Sequence, residues 1–359
     1  MTERLFTYTV PVIKIDGEAN GQLVRDVLDL RVEEDIEGLK TAVMRFLAVG
    51  PSGGENEQLL YFDGTVFDFG KRVEVIVGPE DSQKTIFDGK ITAIEFDGAE
   101  GAPPVIVVFA EDRLMDFRMT RRNKTYRDQT DADIANAIAG EYGMSAEADA
   151  QGPTYPFVQQ WNMSDLAFLR DRARRVAAEV WVSGDTLYFR QRGNRNGTTL
   201  TLVSGNDIVS IKLRADLAHQ RTKVKISGWD IEQRQTIEEE ADVGAIRQEV
   251  ASGKVGPQVL QDAFGERESF RVRDVPHTTD EAREWVKAEM LRRARAFVTA
   301  EGVTSGSPDM EVGSLITITN VAPPFEGDPY YVTHVCHTYD LQDGHRTSFR
   351  AERATITEG

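Results

Sequence analysis

The segment QQWNMSDLAFLRDRARRVAAEVWVSGDTLYF, residues Gln159–Phe189, predicts one helix followed by a β-hairpin. Ser164 is suited to begin the helix, because a serine side chain accepts a hydrogen bond from a free N–H of the first turn. Apolar residues then recur three or four positions apart, which places them on one helix face. They are Leu166, Leu169, Ala173, Val176 and Ala177. A Ser-Gly-Asp turn follows between two β-forming runs, so the segment predicts a small α/β unit.

The first third of the chain has the pattern of short strands. Alternating or continuous apolar positions occur at Val73–Val77, Ile91–Phe96 and Val105–Phe109, and such patterns are typical of strands. Turn signals separate the runs. They are Pro51–Gly54, Phe62–Gly64, Gly78–Asp81 and Phe87–Gly89. Many short strands with polar turns predict a barrel or a sandwich.

Further helix and strand signals complete the plan. Thr130–Asp133 and Thr278–Glu281 both match the capping box that begins a helix. Strand patterns return at Arg221–Trp229 and again from Gly313 onwards. The sequence thus predicts two β domains, 1–114 and 211–359, around an α/β domain at 115–210. The second β domain is expected to carry an exposed insertion at about 230–268 and a long helix at about 279–299.

Composition excludes several classes of protein. The 359 residues carry a net charge of −17 with a sequence pI near 4.9, which opposes binding to the phosphates of nucleic acids. A single cysteine, Cys336, excludes an internal disulfide framework. The N-terminus shows no secretion signal, and no apolar stretch approaches the roughly 20 residues of a membrane-spanning helix. We therefore expect synthesis in a reducing cytoplasm and no stable membrane insertion.

Candidate chemical motifs are few. His334-Val335-Cys336-His337 offers metal-ligand side chains, but on a strand His334 and Cys336 face one side and His337 the other. A tetrahedral metal site needs more ligands than one such face supplies. The sequence contains no nucleophile elbow and no phosphate-binding loop. We therefore predict no catalytic residues, no metal site and no cofactor.

The arginines of the predicted helix need an explanation in so acidic a chain. Arg170, Arg172, Arg174 and Arg175 alternate with carboxylates at Asp165, Asp171 and Glu179. A mixed-charge helix face is usually solvated or lightly ion-paired. The other basic cluster recognised in the sequence is Arg121–Lys124. No aromatic platform accompanies either cluster, so protein contact is favoured over nucleic-acid binding.

Residues 156–190 resemble the phage late control protein D family, which shares this pattern with the hub part of VgrG proteins of type VI secretion. The pattern is a Gln-aromatic stretch, then Ser-Asp-x-x-Phe-Leu-x-Arg on a helix, then a hairpin ending in Leu-x-Phe. The positions that carry it are Gln159, Gln160, Trp161, Ser164, Asp165, Phe168, Leu169, Arg170, Leu187 and Phe189. The C-terminal strands resemble the family's closing hairpins through His337, Asp340, Gly344 and Thr347. His345 departs from the tyrosine that often follows this glycine in the family.

The resemblance implies a fold and a role. The fold would be α+β, mainly β, with two tube-like β-barrel domains flanking the small α/β domain. The chain would be a homotrimeric baseplate hub of a contractile injection machine, with pseudo-six-fold symmetry, between the inner tube protein and the central spike. Because the sequence ends soon after the closing strand, the spike is expected to be a separate protein. Other baseplate components would be further partners, in a phage tail or an extracellular injection particle, and the motif residues would serve packing or interfaces.

Two other classes stay open from the residues alone. One is a tail-associated peptidoglycan hydrolase, which would need a catalytic constellation that the sequence does not display. The other is a secreted adaptor for effectors or carbohydrate, which would stay monomeric and outside any particle.

Overall fold

Strands make up most of the secondary structure, as the sequence predicts for a mainly β chain. The computed structural model describes residues 10–51, 57–79, 81–327 and 329–357. Most of the turn predicted at Pro51–Gly54, and one position of the turn at Gly78–Asp81, lie outside the described residues. Gly78 itself has φ of +102°, as a turn glycine should.

The elements follow one another in the predicted order of β, α/β and β. The first β unit contains β1 (Val12–Ile15), β2 (Glu18–Ala19), α1 (Gly21–Asp26), β3 (Val27–Asp35), β4 (Thr41–Leu47), β5 (Val49–Pro51), β6 (Glu57–Leu59), β7 (Arg72–Val77), β8 (Lys84–Asp97) and β9 (Val105–Glu111). The middle contains α2 (Leu114–Met119), β10 (Arg121–Gln129), α3 (Asp131–Glu141), β11 (Ser145–Ala148), β12 (Tyr155–Ser164), α4 (Asp165–Arg175), β13 (Ala178–Ser183) and β14 (Thr186–Gln191).

The remainder of the chain alternates strands with three helices among the described residues. It contains β15 (Thr199–Val203), β16 (Ile208–Ala215), β17 (Lys223–Asp230), β18 (Gln235–Asp242), α5 (Val243–Arg247), β19 (Lys254–Val255), α6 (Gly256–Phe264), β20 (Glu268–Arg271), α7 (Thr279–Arg295), β21 (Val298–Thr304), β22 (Leu315–Thr319), β23 (Tyr330–Asp340), β24 (Gly344–Arg353) and β25 (Thr355–Ile356). Short 3-10 turns occupy Arg192–Asn194 and Pro323–Phe325.

One large, mostly antiparallel sheet joins the two ends of the chain. Within the described ranges it contains thirteen strands, in the order β16-β21-β24-β23-β3-β4-β9-β8-β7-β1-β2, with β22 paired to β23 and β15. Strands β3 and β23 pair from Asp29 opposite Asp340 to Asp35 opposite His334. This β3–β23 seam connects the N-terminal and C-terminal strands, so neither strand is left as an unpaired edge.

Each half of the sheet has its own apolar core. In the first half, β4 alternates buried and partly exposed residues, and its Phe46 packs with ring centroids 5.0 Å from Phe67. In the second half, Tyr330, Phe297 and Phe349 are buried together. Burying a large apolar side chain stabilises a fold by about 1.5–3 kcal/mol. The period-2 pattern of the strands therefore builds two separate β units.

The third core corrects the predicted boundary at residue 210. Strands β15 and β16 join the large sheet, whereas β17, β18 and α7 pack into the core of the α/β unit. The residues of this region in that core are Val224, Ile226, Ile237, Ala282, Trp285, Val286 and Met290. The α/β unit therefore recruits a second segment of chain, about 223–291, from within the predicted second β domain.

The insertion at 230–268 is not an exposed appendage. Its Glu-rich part forms β18, which pairs with β17 from Lys223 opposite Asp242 to Asp230 opposite Gln235. Four of its apolar side chains are buried. They are Ile237, Ile246, Val255 and Leu260. The prediction was wrong because sparse apolar residues in a charged stretch suffice when each points to the same side of a hairpin or helix.

Several local predictions are confirmed and two are wrong. The capping box at Thr130–Asp133 is complete, and Ser164 caps α4. The turn predicted at Phe87–Gly89 instead lies inside β8, where a Cβ on Gly89 would be 2.3 Å from the Glu111 carbonyl oxygen. The long helix ends at Arg295 rather than near residue 299, because the chain passes at once into β21, which pairs with β16 and β24.

The second predicted capping box is shifted by one residue. Thr278 accepts a hydrogen bond from the Glu281 N–H at 3.2 Å. The Glu281 carboxylate, however, accepts from the N–H of His277 at 2.7 Å rather than from Thr278. The helix begins where the sequence predicted, but the Glu281 carboxylate accepts from the N–H of His277 instead of that of Thr278.

Candidate functional site

The residues of the predicted motif divide into a core group and a polar group. The core group closes the α/β unit and is fully buried. It comprises Phe168, Leu169, Leu187 and Phe189. Phe168 stacks on Tyr126 of β10 with centroids 5.6 Å apart. This part of the motif is therefore structural.

The polar group is a buried network around Asp165 at the start of α4. Asp165 is buried and accepts hydrogen bonds from Gln160 at 2.8 Å, Tyr142 at 2.6 Å and Arg122 at 2.9 Å. Hydrogen bonding to Asp165 raises the pKa of Arg122. Burial raises the pKa of the Tyr142 hydroxyl, and the bond to Asp165 adds to it. Since a buried carboxylate needs such partners, Gln160 and Asp165 tie β10, β12 and α4 together.

Two motif residues point away from this network. Gln159 is exposed, and Trp161 is 71% exposed on the same strand. These two residues are available for contacts outside the chain.

The arginines of α4 are far more specifically held than the sequence predicted. Arg172 is buried, with Nε 2.5 Å from Asp131 Oδ1 and its guanidinium 4.3 Å from the Tyr155 ring centroid. Burial raises the pKa of Asp131, with Arg172 acting in the opposite direction. Arg175 lies 4.7 Å from the Trp285 ring centroid. Arg174, 60% exposed and 3.4 Å from Glu37, and the pair of Arg175 with Asp171 at 3.1 Å match the predicted solvated or lightly ion-paired face.

Arg170 links the α/β unit to the first β unit. Its Nε donates to the Glu37 carbonyl at 2.7 Å and its Nη2 to the Gly38 carbonyl at 2.9 Å. Gly38 has φ of +70°, and a Cβ there would lie 2.3 Å from the Val180 carbonyl oxygen. The loop between β3 and β4 therefore approaches β13 so closely that only glycine fits.

A chain of largely buried ion pairs joins all three units, and we call it the junction. Arg195 contacts Glu34 of β3 at 2.7 Å and Glu179 of β13 at 3.2 Å. Arg192 in turn pairs with Glu179 at 3.3 Å and with Glu352 of β24. Glu179 also accepts a 2.7 Å hydrogen bond from the Tyr331 hydroxyl. The first β unit, the α/β unit and the second β unit thus meet through shared carboxylates.

The charges of the junction stabilise one another against burial. Burial alone would raise the pKa of Glu34, but Lys40 and Arg195 lower it below its usual value. Aromatic rings stack on the cations, with Arg195 4.3 Å from the Trp181 centroid and Arg192 4.1 Å from that of Tyr331. Removing one member of such a set leaves an uncompensated buried charge. The junction therefore fixes the relative positions of the three units.

Sequence reasoning missed these residues although a signal was present. RQRGNR, residues 190–195, places three arginines within six positions at the end of a β-hairpin. Two of the carboxylate partners lie far along the chain, with Glu34 161 positions before Arg195 and Glu352 160 positions after Arg192. No local pattern pairs residues at that separation.

The histidine motif lies at the seam, on β23. His337 is buried, with Nε2 3.1 Å from the Met310 carbonyl oxygen and Nδ1 3.0 Å from Thr347 Oγ1. His345 Nε2 lies 3.3 Å from the same Nδ1. Burial lowers the pKa of His337 to about 3 and that of His345 to about 4. Both rings are therefore neutral at pH 7.

The other residues of this signature shape the hairpin β23–β24. Asp340 accepts hydrogen bonds from the N–H groups of Gln342 and Asp343 at 2.8 and 2.7 Å. Gly344 has φ of +66°, a conformation that favours glycine. His334 lies on the other face of the strand, 2.7 Å from Glu33. In the described part of the chain, no group of three or more His, Cys, Asp and Glu is arranged to hold a metal ion.

The basic cluster Arg121–Lys124 is also bound within the chain. Arg121 donates to the Asn162 carbonyl, Arg122 pairs with Asp165 and Glu141, and Lys124 pairs with Glu141 at 2.5 Å. Such pairs leave little free positive charge for a polyanion. In the ranges that the structure covers, no helix is long and apolar enough to cross a membrane.

Comparisons with known proteins bear on family and fold. Residues 6–340 match the profile of the family described as the Alg8 N-terminal domain. The chain belongs to this family. The match covers most of the 359 residues. None of the curated proteins matches the sequence.

Solved structures of phage tail proteins share the fold. The 43 kDa tail protein of prophage MuSo2 from Shewanella oneidensis has a TM-score of 0.69 at 13% identity, over 96% of this chain and 98% of its own. A tail protein from Neisseria meningitidis has a TM-score of 0.66 at 10% identity, over 96% of both chains. A type VI secretion component from E. coli has a TM-score of 0.57 at 14% identity, over 95% of this chain and 76% of its own.

These likenesses establish a fold that this Alg8 N-terminal domain family member shares with tail proteins. At 10–14% identity they do not extend to individual residues or partners. The resemblance to late control protein D specifically therefore stays a prediction. In the described residues the three units meet at the junction, and most of the motif residues are buried, whereas Gln159 and Trp161 are exposed.

Proposed function

We propose that this protein is a structural, non-enzymatic hub in the baseplate of a contractile injection machine. In this role three copies form a ring that connects the inner tube to a central spike carried by a separate protein. The tail-protein fold supports a structural tail-type role. The sequence signature of late control protein D supports the narrower assignment to the hub.

The β3–β23 seam is the observation that carries this proposal. It unites two β units, each with its own core, in one sheet of a single chain. Three such chains around a three-fold axis would present six β units. A ring of six units on one face and three chains on the other would match a six-fold tube to a three-fold spike.

The junction supports a scaffold role rather than catalysis. Relative positions of the two β units must be constant if each is to meet an equivalent subunit of the tube. Glu34, Glu179 and Glu352 tie both β units to the α/β unit through Arg192 and Arg195. These charges are used within the fold, which argues against their serving as general acids or bases.

Partners and location follow from the same role. Inner tube protein, spike protein and other baseplate components would contact the ring, and the exposed Trp161 is one candidate contact. Assembly would take place in the bacterial cytoplasm before the particle leaves as a phage tail, a tailocin or an extracellular injection particle.

Mass in solution tests the proposal. The 40.1 kDa chain is purified alone and together with the spike protein encoded beside it, and both samples are analysed by size exclusion with light scattering. A species containing three copies, formed alone or on the spike, is expected. A monomer in both samples contradicts the hub and favours the secreted adaptor. Clearing of a peptidoglycan gel by the purified chain would instead favour the hydrolase.

A further inference from the structure

The two β units contain the same order of strands. Across the sheet the order is β1-β7-β8-β9-β4-β3 in the first unit and β15-β22-β23-β24-β21-β16 in the second. When these six strands are numbered along the chain, both orders are first, fourth, fifth, sixth, third and second. The direction of the first strand differs, since β1 is antiparallel to β7 whereas β15 is parallel to β22. Each unit is therefore one copy of an internal structural repeat.

The two units also share their irregularities. The fifth strand has a bulge at Thr92 in β8 and at Thr333 in β23, and each threonine hydroxyl donates to a carbonyl of the sixth strand, at 3.4 Å and 3.3 Å. The second strand has a bulge at Leu28 in β3 and at Val209 in β16. A bulge adds one residue to a strand and shifts its register, so the shared bulges fix how the two units align. In this alignment β8 corresponds to β23, and β16 corresponds to β3.

Within the described residues, each unit has a free strand edge that corresponds to an edge used in the β3–β23 seam. Along Ser210–Ala215, β16 pairs with β21 on one side and with no described strand on the other. Along Ala93–Asp97, β8 pairs with β9 in the same one-sided way. Such an edge exposes main-chain N–H and C=O groups that pair readily with another strand. Six strands separate β8 from β16 in the sheet, so the two edges do not meet within one copy.

The seam shows how two such edges meet. Strands β23 and β3 are antiparallel, and Cys336 lies opposite Glu33. Two positions further along β23, Thr338 lies opposite Arg31. Counted from the bulges, four residues of the free edges hold these positions in the other unit. They are Glu95 for Cys336, Asp97 for Thr338, Arg214 for Glu33 and Lys212 for Arg31.

In the register of the seam, the two free edges would bring opposite charges together. Glu95 would lie opposite Arg214, and Asp97 opposite Lys212, and all four residues are exposed. Surface ion pairs, which contribute little, already involve two of them within one copy. They are Asp97 with Arg45 at 2.9 Å and Arg214 with Asp216 at 3.7 Å. Cross-strand pairs of opposite charge stabilise an antiparallel register, and a shift by one residue would separate them onto opposite faces. The charges therefore favour a second copy of this chain as the partner.

We propose that β16 of one copy pairs with β8 of a second copy, antiparallel and in the register of the seam, with Glu95 opposite Arg214 and Asp97 opposite Lys212. Because two different edges meet, the contact is heterologous and repeats from copy to copy, so that a suitable rotation closes a ring. It specifies how the three copies of the proposed hub meet, and in that respect it rests on the proposed function. Each interface between copies would then repeat the seam within the chain.

Disulfide formation tests the register, which also places Phe96 opposite Leu213. Phe96→Cys and Leu213→Cys are combined in a Cys336→Ser chain, which is purified alone and with the spike protein encoded beside it and then oxidised. Opposite residues have Cβ atoms about 4.5–5.5 Å apart, close to the separation in a disulfide, whereas diagonal residues are about 7–8 Å apart. On a non-reducing gel we expect species of two and three linked copies, at least about fivefold more abundant than in the diagonal control Phe96→Cys with Ile211→Cys.

Charge reversal tests the charged pairs. Arg214→Glu would place two carboxylates opposite each other, so the concentration at which half of the chain is in the three-copy species should rise at least about tenfold. Adding Glu95→Arg should restore assembly. Arg283→Glu on α7 changes the net charge by the same amount away from both edges, so it should leave assembly unchanged.

Failure of this contact and failure of the hub give different results. The contact alone is overturned if a three-copy species forms but neither cysteine pair cross-links, or if both pairs cross-link equally. It is likewise overturned if Arg214→Glu leaves assembly unchanged or if Glu95→Arg does not restore it, because the copies then meet through other surfaces. A wild-type chain that stays monomeric both alone and with the spike protein overturns the contact and the proposed function together.

Discussion

Arg195, which follows the hairpin β13–β14, forms a 2.7 Å ion pair with Glu34 of β3 across 161 positions of sequence. The same guanidinium contacts Glu179 at 3.2 Å. One side chain therefore joins the first β unit to the α/β unit, and Glu179 extends the connection to Tyr331 of the second β unit. The β3–β23 seam places the two β units in one sheet, and the contacts of Arg195 and Glu179 connect both of them to the α/β unit.

Replacing Arg195 by methionine tests how much the junction contributes to the free energy of unfolding. Glu34 and Glu179 lose a shared cation in a buried setting, so we expect the free energy of unfolding to fall by about 3–5 kcal/mol. Urea denaturation followed by tryptophan fluorescence measures it. Arg283→Met is the matched control, because Arg283 is 56% exposed and pairs with the exposed Asp280 at 3.0 Å and with Glu239 at 3.5 Å, and it should cost less than about 1 kcal/mol. Equal losses in the two variants would mean that the junction is not special.

Gly38→Ala tests the close approach of the first β unit to β13. The new Cβ would lie 2.3 Å from the Val180 carbonyl oxygen in a backbone conformation that disfavours side chains, so we expect a loss of about 3 kcal/mol. Gly184→Ala is the control, since φ is +55° there but no atom lies within 4 Å, and it should cost about 1 kcal/mol. Chemical denaturation measures the free energy of unfolding of both variants. A smaller decrease for Gly38→Ala than for Gly184→Ala would contradict the described packing.

Asp165→Asn tests the motif as a structural element. The amide keeps one acceptor but places a donor among Arg122, Gln160 and Tyr142, so we expect the free energy of unfolding to fall by about 3 kcal/mol or more. Asp171→Asn on the same helix removes a partly exposed partner of Arg175 and should cost below about 1 kcal/mol. Thermal unfolding compares the two variants. An Asp165→Asn variant as stable as the wild type would contradict a structural role for the motif.

The buried histidines predict a dependence of stability on pH. The pKa of His337 is lowered to about 3 and that of His345 to about 4, below the unfolded value of about 6.5. The unfolded chain therefore binds protons more readily, and stability falls as the pH drops from about 6.5 towards 4. The stability advantage of the wild type over His337→Gln should shrink by up to about 1.4 kcal/mol per pH unit in that window. If the free energies of unfolding of the two proteins changed in parallel with pH, the His337 ring would not be held neutral in the fold.

Local features were predictable from the sequence, and long-range ones were not. Helix α4 and the hairpin after it follow from apolar spacing and from the cap at Ser164. The seam and the junction depend on residues such as Glu34 and Arg195, whose pairing no short-range pattern encodes. The Glu-rich stretch at 230–268 looked exposed because its few apolar residues are far apart, yet β18 aligns Ile237 with the core of the α/β unit.

The polar motif shows the same division. Gln160 and Asp165 stand out through their resemblance to a family pattern. Arg122 was recognised as part of the basic cluster Arg121–Lys124, but no sequence pattern pairs it or Tyr142 with Asp165. The arginines of α4 were expected to be solvated or lightly ion-paired, because charge alternates along the helix. Arg172 is buried instead, because Asp131 and the ring of Tyr155 compensate it from another helix and strand.

Electron microscopy of the purified protein, with and without the spike protein encoded beside it, tests the central proposal most directly. End-on class averages are predicted to show a ring of three chains with six similar densities around a central channel, in the presence of the spike if not in its absence. Small particles of a single chain in both samples would contradict the proposal that the two β units of this sheet build a hub.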